Sequence, residues 1–354
     1  MARTKGGISV FAIAATYVGT VVGAGFATGQ EVLRFFTHFG LGGIFAVAGA
    51  TFLFAVLGAQ ILRIGNELRA DSHRPIVEAA VGPTMGRLID FVITFFLFGG
   101  AAVMMAGSGA VFAEHWHLNR FLGTLIMAVV AGGTVALGLR GVVASISAVA
   151  PILIAMVLFI SSSVLVRNGL SPAALRWYDP AAAATTYWPV SLFLYVSYNL
   201  ILSVSVLGPL GKETTDHKVL YWGGIAGGVA LGAGTLFINL ALLSGIPEIA
   251  RYEVPMLHLA RQFPTWLTTL YSLVLWAEIY TTAVASLYGL AVRLSTPGSA
   301  QFRKLVPMAT LGALLAAQVG FSGMVGVLFP AVGWIGLLFV AGLIYRWLRP
   351  ATVR

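Results

Sequence analysis

The sequence predicts an all-α polytopic membrane protein, with ten transmembrane helices in two inverted sets of five and helices 1 and 6 broken. Three observations predict it. Of 354 residues, 58% are hydrophobic and only 9% charged, against roughly 25% charged in a soluble domain. The apolar residues fall into runs close to the ~20 needed to cross a bilayer. The first run carries Gly19-Thr-Val-Val-Gly-Ala-Gly-Phe-Ala-Thr-Gly-Gln-Glu31 at its centre, where a membrane helix should continue uninterrupted.

The ten runs are 8–36, 40–64, 88–112, 121–139, 142–165, 187–207, 219–243, 266–290, 305–318 and 324–347. Together they form one transmembrane domain over 1–354, with repeat one at about 8–165 and repeat two at about 187–347. Two sets of five helices can be related only by inversion, a common plan of secondary transporters. The segment 244–264 reads as a short interfacial helix over a vestibule. Counting Lys and Arg supports the span number. With the N-terminus inside, only Arg34, Arg120, Arg167, Arg176, Arg251 and Arg261 fall outside, and every other basic residue is cytoplasmic. That distribution places both termini in the cytoplasm of a cell membrane.

The same distribution accounts for the net charge of +9. Basic residues are scattered between apolar runs, with no stripe that would suit nucleic acid. The absence of Cys excludes disulfides and thiolate metal sites. There is no His-Glu-x-x-His and no Gly-x4-Gly-Lys, so a metalloprotease or an ATP-driven pump has no motif. No nucleophile–base pair suggests an enzyme.

In the first run, Gly23 and Gly25 each cost about 1 kcal/mol relative to Ala in a helix interior. Unwound backbone at membrane depth survives only when buried in protein or lining a cavity. Its free carbonyls can hold a cation, and the N–H groups of the next half-helix an anion. The sixth run has no Gly but groups Ser197, Tyr198 and Asn199 at mid-depth. Ser and Asn offer the backbone competing hydrogen bonds, and a second break is expected there.

Glu278 lies deep in the eighth run, with Thr281 and Thr282 three and four residues on, all on one helix face. A carboxylate at the bilayer centre is costly and usually functional. Its oxygens and the two hydroxyls suit a hard cation. The bland alternative is a protonated Glu bonded to a neighbouring helix. Gln30 and Glu31 fall toward the outer vestibule, where Glu31 would either pair with Arg34 or gate access. Asp90 beside Arg87 reads as an interfacial ion pair. Asn239 and the Gly pairs 223–224 and 227–228 read as helix-packing contacts. Glu114-His115-Trp116-His117 reads as a loop edge lacking further metal ligands.

The Gly19–Glu31 motif, the ten runs and the Glu278, Thr281, Thr282 pattern resemble the YkvI-like membrane proteins of the amino acid–polyamine–organocation (APC) superfamily, which has the LeuT fold. The resemblance covers essentially the whole chain. It implies a bundle of spans 1, 2, 6 and 7 moving against a scaffold, with substrate between spans 1 and 6. In sodium-coupled relatives, carbonyls equivalent to Gly19 and Val22 and eighth-span hydroxyls hold one sodium. Here Glu278 replaces a small residue ahead of those hydroxyls. Some sodium-independent relatives place a span-five Lys there, and 142–165 has none. Amino-acid carriers use a third-span Tyr, and 88–112 has none.

The expected function is cation-coupled uptake of a small amino acid or related carboxylate or amine metabolite by alternating access. The ion site would be Gly19, Val22, Glu278, Thr281 and Thr282. Sodium is preferred to a proton because two Thr add neutral ligands. The substrate would meet Ala24, Gly25, Phe26, Tyr195, Ser197, Tyr198 and Asn199. Alternatives are a proton-coupled carrier of an organic amine paired with Glu278, or a receptor that binds without transporting. No cofactor beyond a sodium ion is expected. The partners are a small molecule and the lipid bilayer, with no nucleic acid.

Overall fold

The computed structural model describes residues 8–137 and 142–348. Of the basic residues counted above, Arg3, Lys5, Arg140, Arg349 and Arg354 lie outside these. The described residues form helices and no strand. The first membrane segment is divided into α1 (Val10–Val21), α2 (Ala24–Thr28) and α3 (Gln30–Phe35). Then follow α4 (Leu41–Glu67), α5 (Arg74–His115), α6 (Arg120–Leu137), α7 (Val142–Asn168) and the short α8 (Pro172–Leu175). The second half contains α9 (Trp188–Gly211), α10 (His217–Ser244), the short α11 (Pro255–Ala260), α12 (Thr265–Leu294), α13 (Ala300–Ala316) and α14 (Phe321–Leu348). With α8 and α11 set aside as loop helices, ten membrane segments remain among the described residues. Seven helices are individually long and apolar enough to cross a bilayer. The protein is a multi-pass membrane protein.

The third segment is longer than its apolar run. Residues 74–81 form a helical approach, and Gly82 (φ 81°) bends the chain ahead of Pro83. The 244–264 connection holds a 3₁₀ turn (Glu248–Arg251) and α11, matching the expected short helix.

Packing follows a five-step symmetry. α1 packs on α9, α4 on α10 and α5 on α12, each a segment against the one five later. The α1–α10 contact is matched by α4–α9, α5–α6 by α12–α13, and α5–α14 by α12–α7. Segments 1, 2, 6 and 7 form a bundle. Glycines on α10 allow its close packing: a Cβ at Gly224 would stand 2.5 Å from Ala59 Cα, and one at Gly227 2.6 Å from the Tyr17 ring. The Gly pairs are packing contacts, as their spacing implied.

Polar contacts separate the connections into two faces. On one, Asp179 N–H donates to His38 O at 2.9 Å, Arg120 pairs with Glu253 at 2.8 Å, and Glu253 N–H donates to Glu114. On the other, Arg346 reaches Glu67 at 3.3 Å, Asn66 donates to Thr214 O at 2.7 Å, and Lys212 pairs with Asp71. Among the described residues, odd-numbered connections share one face and even-numbered ones the other, as ten crossings require. Asp90 lies at the even face, but its partners are His73 and Arg293 rather than Arg87.

The expected break in the sixth segment does not occur. α9 runs continuously for 24 residues. Its polar side chains satisfy carbonyls that stay within the helical ladder. Asn199 Nδ2 donates to Tyr195 O at 2.9 Å, Ser203 to Asn199 O at 2.7 Å, and Ser197 to Leu194 O at 3.0 Å and Gly333 O of α14 at 2.7 Å. Without a Gly, nothing favours the extended or left-handed conformation that a break requires.

Candidate functional site

The site begins with the interruption of the first segment. α1 ends at Val22, whose φ −73° and ψ 105° leave the helical region, and Gly23 is extended. The carbonyls of Gly19 and Val22 have no backbone N–H partner. Nothing stands within 4 Å of where a Cβ would sit at Gly19 or Gly23, so the break faces open space. Ala24, Gly25 and Phe26 are buried in the first turn of α2. A partly open cavity of about 120 Å³ adjoins the break, lined by apolar groups that include Val22, Phe26, Val157 and Gly234.

A second interruption follows. Gly29 takes φ 80°, the left-handed conformation, between α2 and α3. This turn brings Glu31 back over α2. A Cβ at Gly25 would run into the Glu31 carboxylate. The Tyr198 hydroxyl of α9 donates to Glu31 Oε2. Glu31 is 7% exposed and makes no pair with Arg34. Arg34 donates instead to Ala182 O at 2.6 Å and Ser322 Oγ at 2.7 Å. Gln30 reaches the same Ser322 hydroxyl at 2.7 Å. Gln30 and Arg34 therefore tie α3 to the start of α14. Glu31 instead folds back over α2 and is bonded to α9.

Around Tyr198 the walls are aromatic. Its ring stacks on Phe329 at 5.2 Å and lies 5.6 Å from both Phe35 and Tyr195. Tyr195 also meets Phe36 edge-on at 4.7 Å. Of the α9 residues expected at the substrate, Tyr198 touches Glu31, whereas Ser197 and Asn199 are engaged with carbonyls.

The eighth segment contributes from the other side. Tyr271 of α12 donates to Ala27 O of α2 at 2.6 Å. Glu278, two helical turns on, shares that stripe of α12. It is 6% exposed, and Oε2 has no hydrogen-bond partner. Thr281 Oγ1 donates at 2.9 Å to the Glu278 backbone carbonyl, an intrahelical bond, and Thr282 is half-buried. Neither buried carboxylate has an ion-pair partner among the described residues. No Lys, Arg or His occurs in 8–33, 188–211 or 265–292. Among the described residues no three His, Cys, Asp or Glu converge. The donors that could hold an ion are carbonyls, hydroxyls and single carboxylates.

Nearby, Asn239 Oδ1 accepts from Thr37 at 2.8 Å, an interhelical contact. Burial pushes His38 in the first connection down to about 4, so it is neutral at pH 7. Glu114 accepts the N–H groups of Glu253 and Val254, holding the 3₁₀–α11 connection to the end of α5. Sequence reasoning missed Ser322, Tyr271 and Phe329. Tyr271 had a readable signal, its seven-residue spacing from Glu278. Ser322 and Phe329 had none.

No family model matches the chain. It is 29% identical over 346 residues to the uncharacterized membrane protein YkvI of Bacillus subtilis (strain 168), spanning 98% of each chain. It is 26% identical over 331 residues to the uncharacterized protein YyaD of the same organism, spanning 93% of this chain and 94% of that one. Among solved structures it resembles MhsT in complex with L-phenylalanine (TM-score 0.63, 12% identity, 95% of this chain and 88% of that). It also resembles a substrate-bound, outward-open Na+-coupled sialic acid symporter (0.60, 13%, 97% and 79%) and inward-facing Mhp1 (0.55, 13%, 99% and 82%). At these identities the likeness is one of fold.

Proposed function

We propose that the protein is a secondary active transporter that couples a small metabolite to a cation by alternating access. The reading includes one domain of two inverted repeats, 8–165 and 187–347, in a cell membrane with both termini cytoplasmic. It also includes membership of the APC superfamily. The observation that carries it is the broken first segment, with free carbonyls at Gly19 and Val22 and an unpaired buried carboxylate on the facing helix α12. Discontinuous helices with free carbonyls are how transporters coordinate ions at mid-membrane. The fold shared with a Na+-coupled symporter supports the same reading. The coupling ion would be held by Gly19 and Val22 carbonyls, Glu278, Thr281 and Thr282. The hydroxyls favour sodium, since a proton needs Glu278 alone.

The first test is thermal stability of the purified protein in sodium and in potassium at two pH values, followed by counterflow in liposomes. Ligand binding to the folded state raises stability by mass action. A saturable sodium effect is expected, with Glu278→Gln weakening it at least about tenfold, the equivalent of one lost charged contact. A response to pH but not to sodium would make Glu278 a proton carrier. Binding without exchange of label would make the protein a receptor.

A further inference from the structure

We propose that Glu31 is the substrate's counter-charge, and that the substrate is an organic cation, an ammonium or guanidinium compound without a carboxylate of its own. The inference rests on the transporter reading for what happens after binding, but not for binding itself.

The substrate position expected between segments 1 and 6 already contains a carboxylate. Glu31 folds over Gly25, where only the absence of a Cβ leaves room, and fixes one oxygen on the Tyr198 hydroxyl. Its second oxygen makes no hydrogen bond in the described structure, and no basic side chain neutralises it. A buried charge without a partner is strongly unfavourable. A mobile cation supplied by the substrate would remove that penalty, whereas a substrate carboxylate would double it. Arg34 of α3 is committed to Ala182 O and Ser322 Oγ, and with no Lys, Arg or His in 8–33, 188–211 or 265–292, no further basic side chain on these segments could balance a second negative charge.

The surroundings also suit an organic rather than a hydrated inorganic ion. Beside Glu31 and the Tyr198 hydroxyl stand the rings of Phe35, Phe329 and Tyr195, the last with its own hydroxyl. Tyr198 lies within 5.6 Å of Phe35 and 5.2 Å of Phe329, centroid to centroid. Ring faces attract alkylammonium and guanidinium groups and offer few of the oxygens that a hard ion requires. Glu31 and Glu278 therefore divide the work, one for the substrate's charge and one for the coupling ion.

The experiment uses the purified full chain. Thermal stability is measured against n-butylammonium, butylguanidinium and choline, and against pentanoate and L-alanine as carboxylate-bearing controls. Protection by at least one cation and none by the controls is expected. Glu31→Gln keeps the acceptor for Tyr198 but removes the charge, and should weaken that protection at least about tenfold. Gly25→Ala retains the charge but displaces the carboxylate, and should do the same. Both variants should keep the sodium or pH response of Glu278. Protection by L-alanine or pentanoate that survives Glu31→Gln overturns the proposal, as does the absence of any response to the organic cations. Protection by sodium alone that Glu31→Gln removes overturns it in favour of an inorganic ion at Glu31. If the cations bind but are not exchanged in counterflow, transport fails while this assignment stands. If a carboxylate-bearing substrate is exchanged by Glu31→Gln at the wild-type rate, the reverse holds.

Discussion

The first and sixth segments face each other across the site and hold comparable numbers of polar side chains, yet one is broken twice and the other not at all. The difference is where the polar atoms go. In α9, Ser197, Asn199 and Ser203 return their hydrogen bonds to carbonyls three or four residues back, and the backbone ladder stays closed. In the first segment the interruption is made by the backbone, through extended Gly23 and left-handed Gly29. Polar side chains alone do not open a membrane helix, because the helix's own carbonyls are the nearest partners. Glycine removes the steric barrier to leaving the helical region and is the stronger signal.

Gly29 is the largest lever on this contrast. Any L-residue there is held at a positive φ, and its Cβ would stand 2.8 Å from Met256 Cγ of α11. Gly29→Val should therefore lose roughly 2–4 kcal/mol, from left-handed strain plus overpacking. It should also release Glu31 from α2 and abolish the organic-cation response. Ser203→Ala, at a helical position in α9, should lose only the hydrogen bond to Asn199 O and change stability by about 1 kcal/mol. Thermal unfolding of both variants measures the difference, and equal effects would mean that Gly29 does not organise the break.

Much of the architecture was readable. The ten apolar runs, the glycine interruption and the α10 glycine contacts follow from hydropathy and spacing, because hydrocarbon leaves the backbone few choices. The site was only half readable, and the reason lies in one residue. On a continuous helix after Gly23, Glu31 would sit six positions beyond Gly25, about 120° away from it around the axis. The left-handed turn at Gly29 cancels that separation. Thr-Gly ahead of Gln30 was the available signal, since glycine is common just past a helix end. Ser322 and Phe329 come from the tenth segment, and their arrival at the site depends on tertiary packing that no local pattern encodes.

Tyr198 joins the two segments, and the next effect in size tests that junction. Its hydroxyl donates to Glu31, and hydrogen bonds to charged groups contribute roughly 1.5–3 kcal/mol. Tyr198→Phe should lose about that much stability when Glu31 is ionised, with little change in ring packing against Phe329. A double-mutant cycle with Glu31→Gln isolates the contact. A coupling near zero would show that the hydroxyl and the carboxylate act independently, and would separate the continuous helix from the site.

The smallest expected effect decides how the sixth segment works. Asn199 donates to Tyr195 O, a carbonyl the helix already uses. Asn199→Ala should lose that bond, worth about 1 kcal/mol, and recover part of it through the better helix propensity of Ala. The net change in thermal stability should be small, and the response to organic cations unchanged, because Asn199 touches neither Glu31 nor the first segment in the described contacts. A segment that opened at Asn199 to receive substrate would behave differently: Ala would stabilise the closed helix and weaken binding. A stabilised variant with a lost ligand response would therefore return the break to α9. An unaltered response would leave the unwound backbone to the first segment alone, with α9 acting as a rigid wall that presents the Tyr198 hydroxyl.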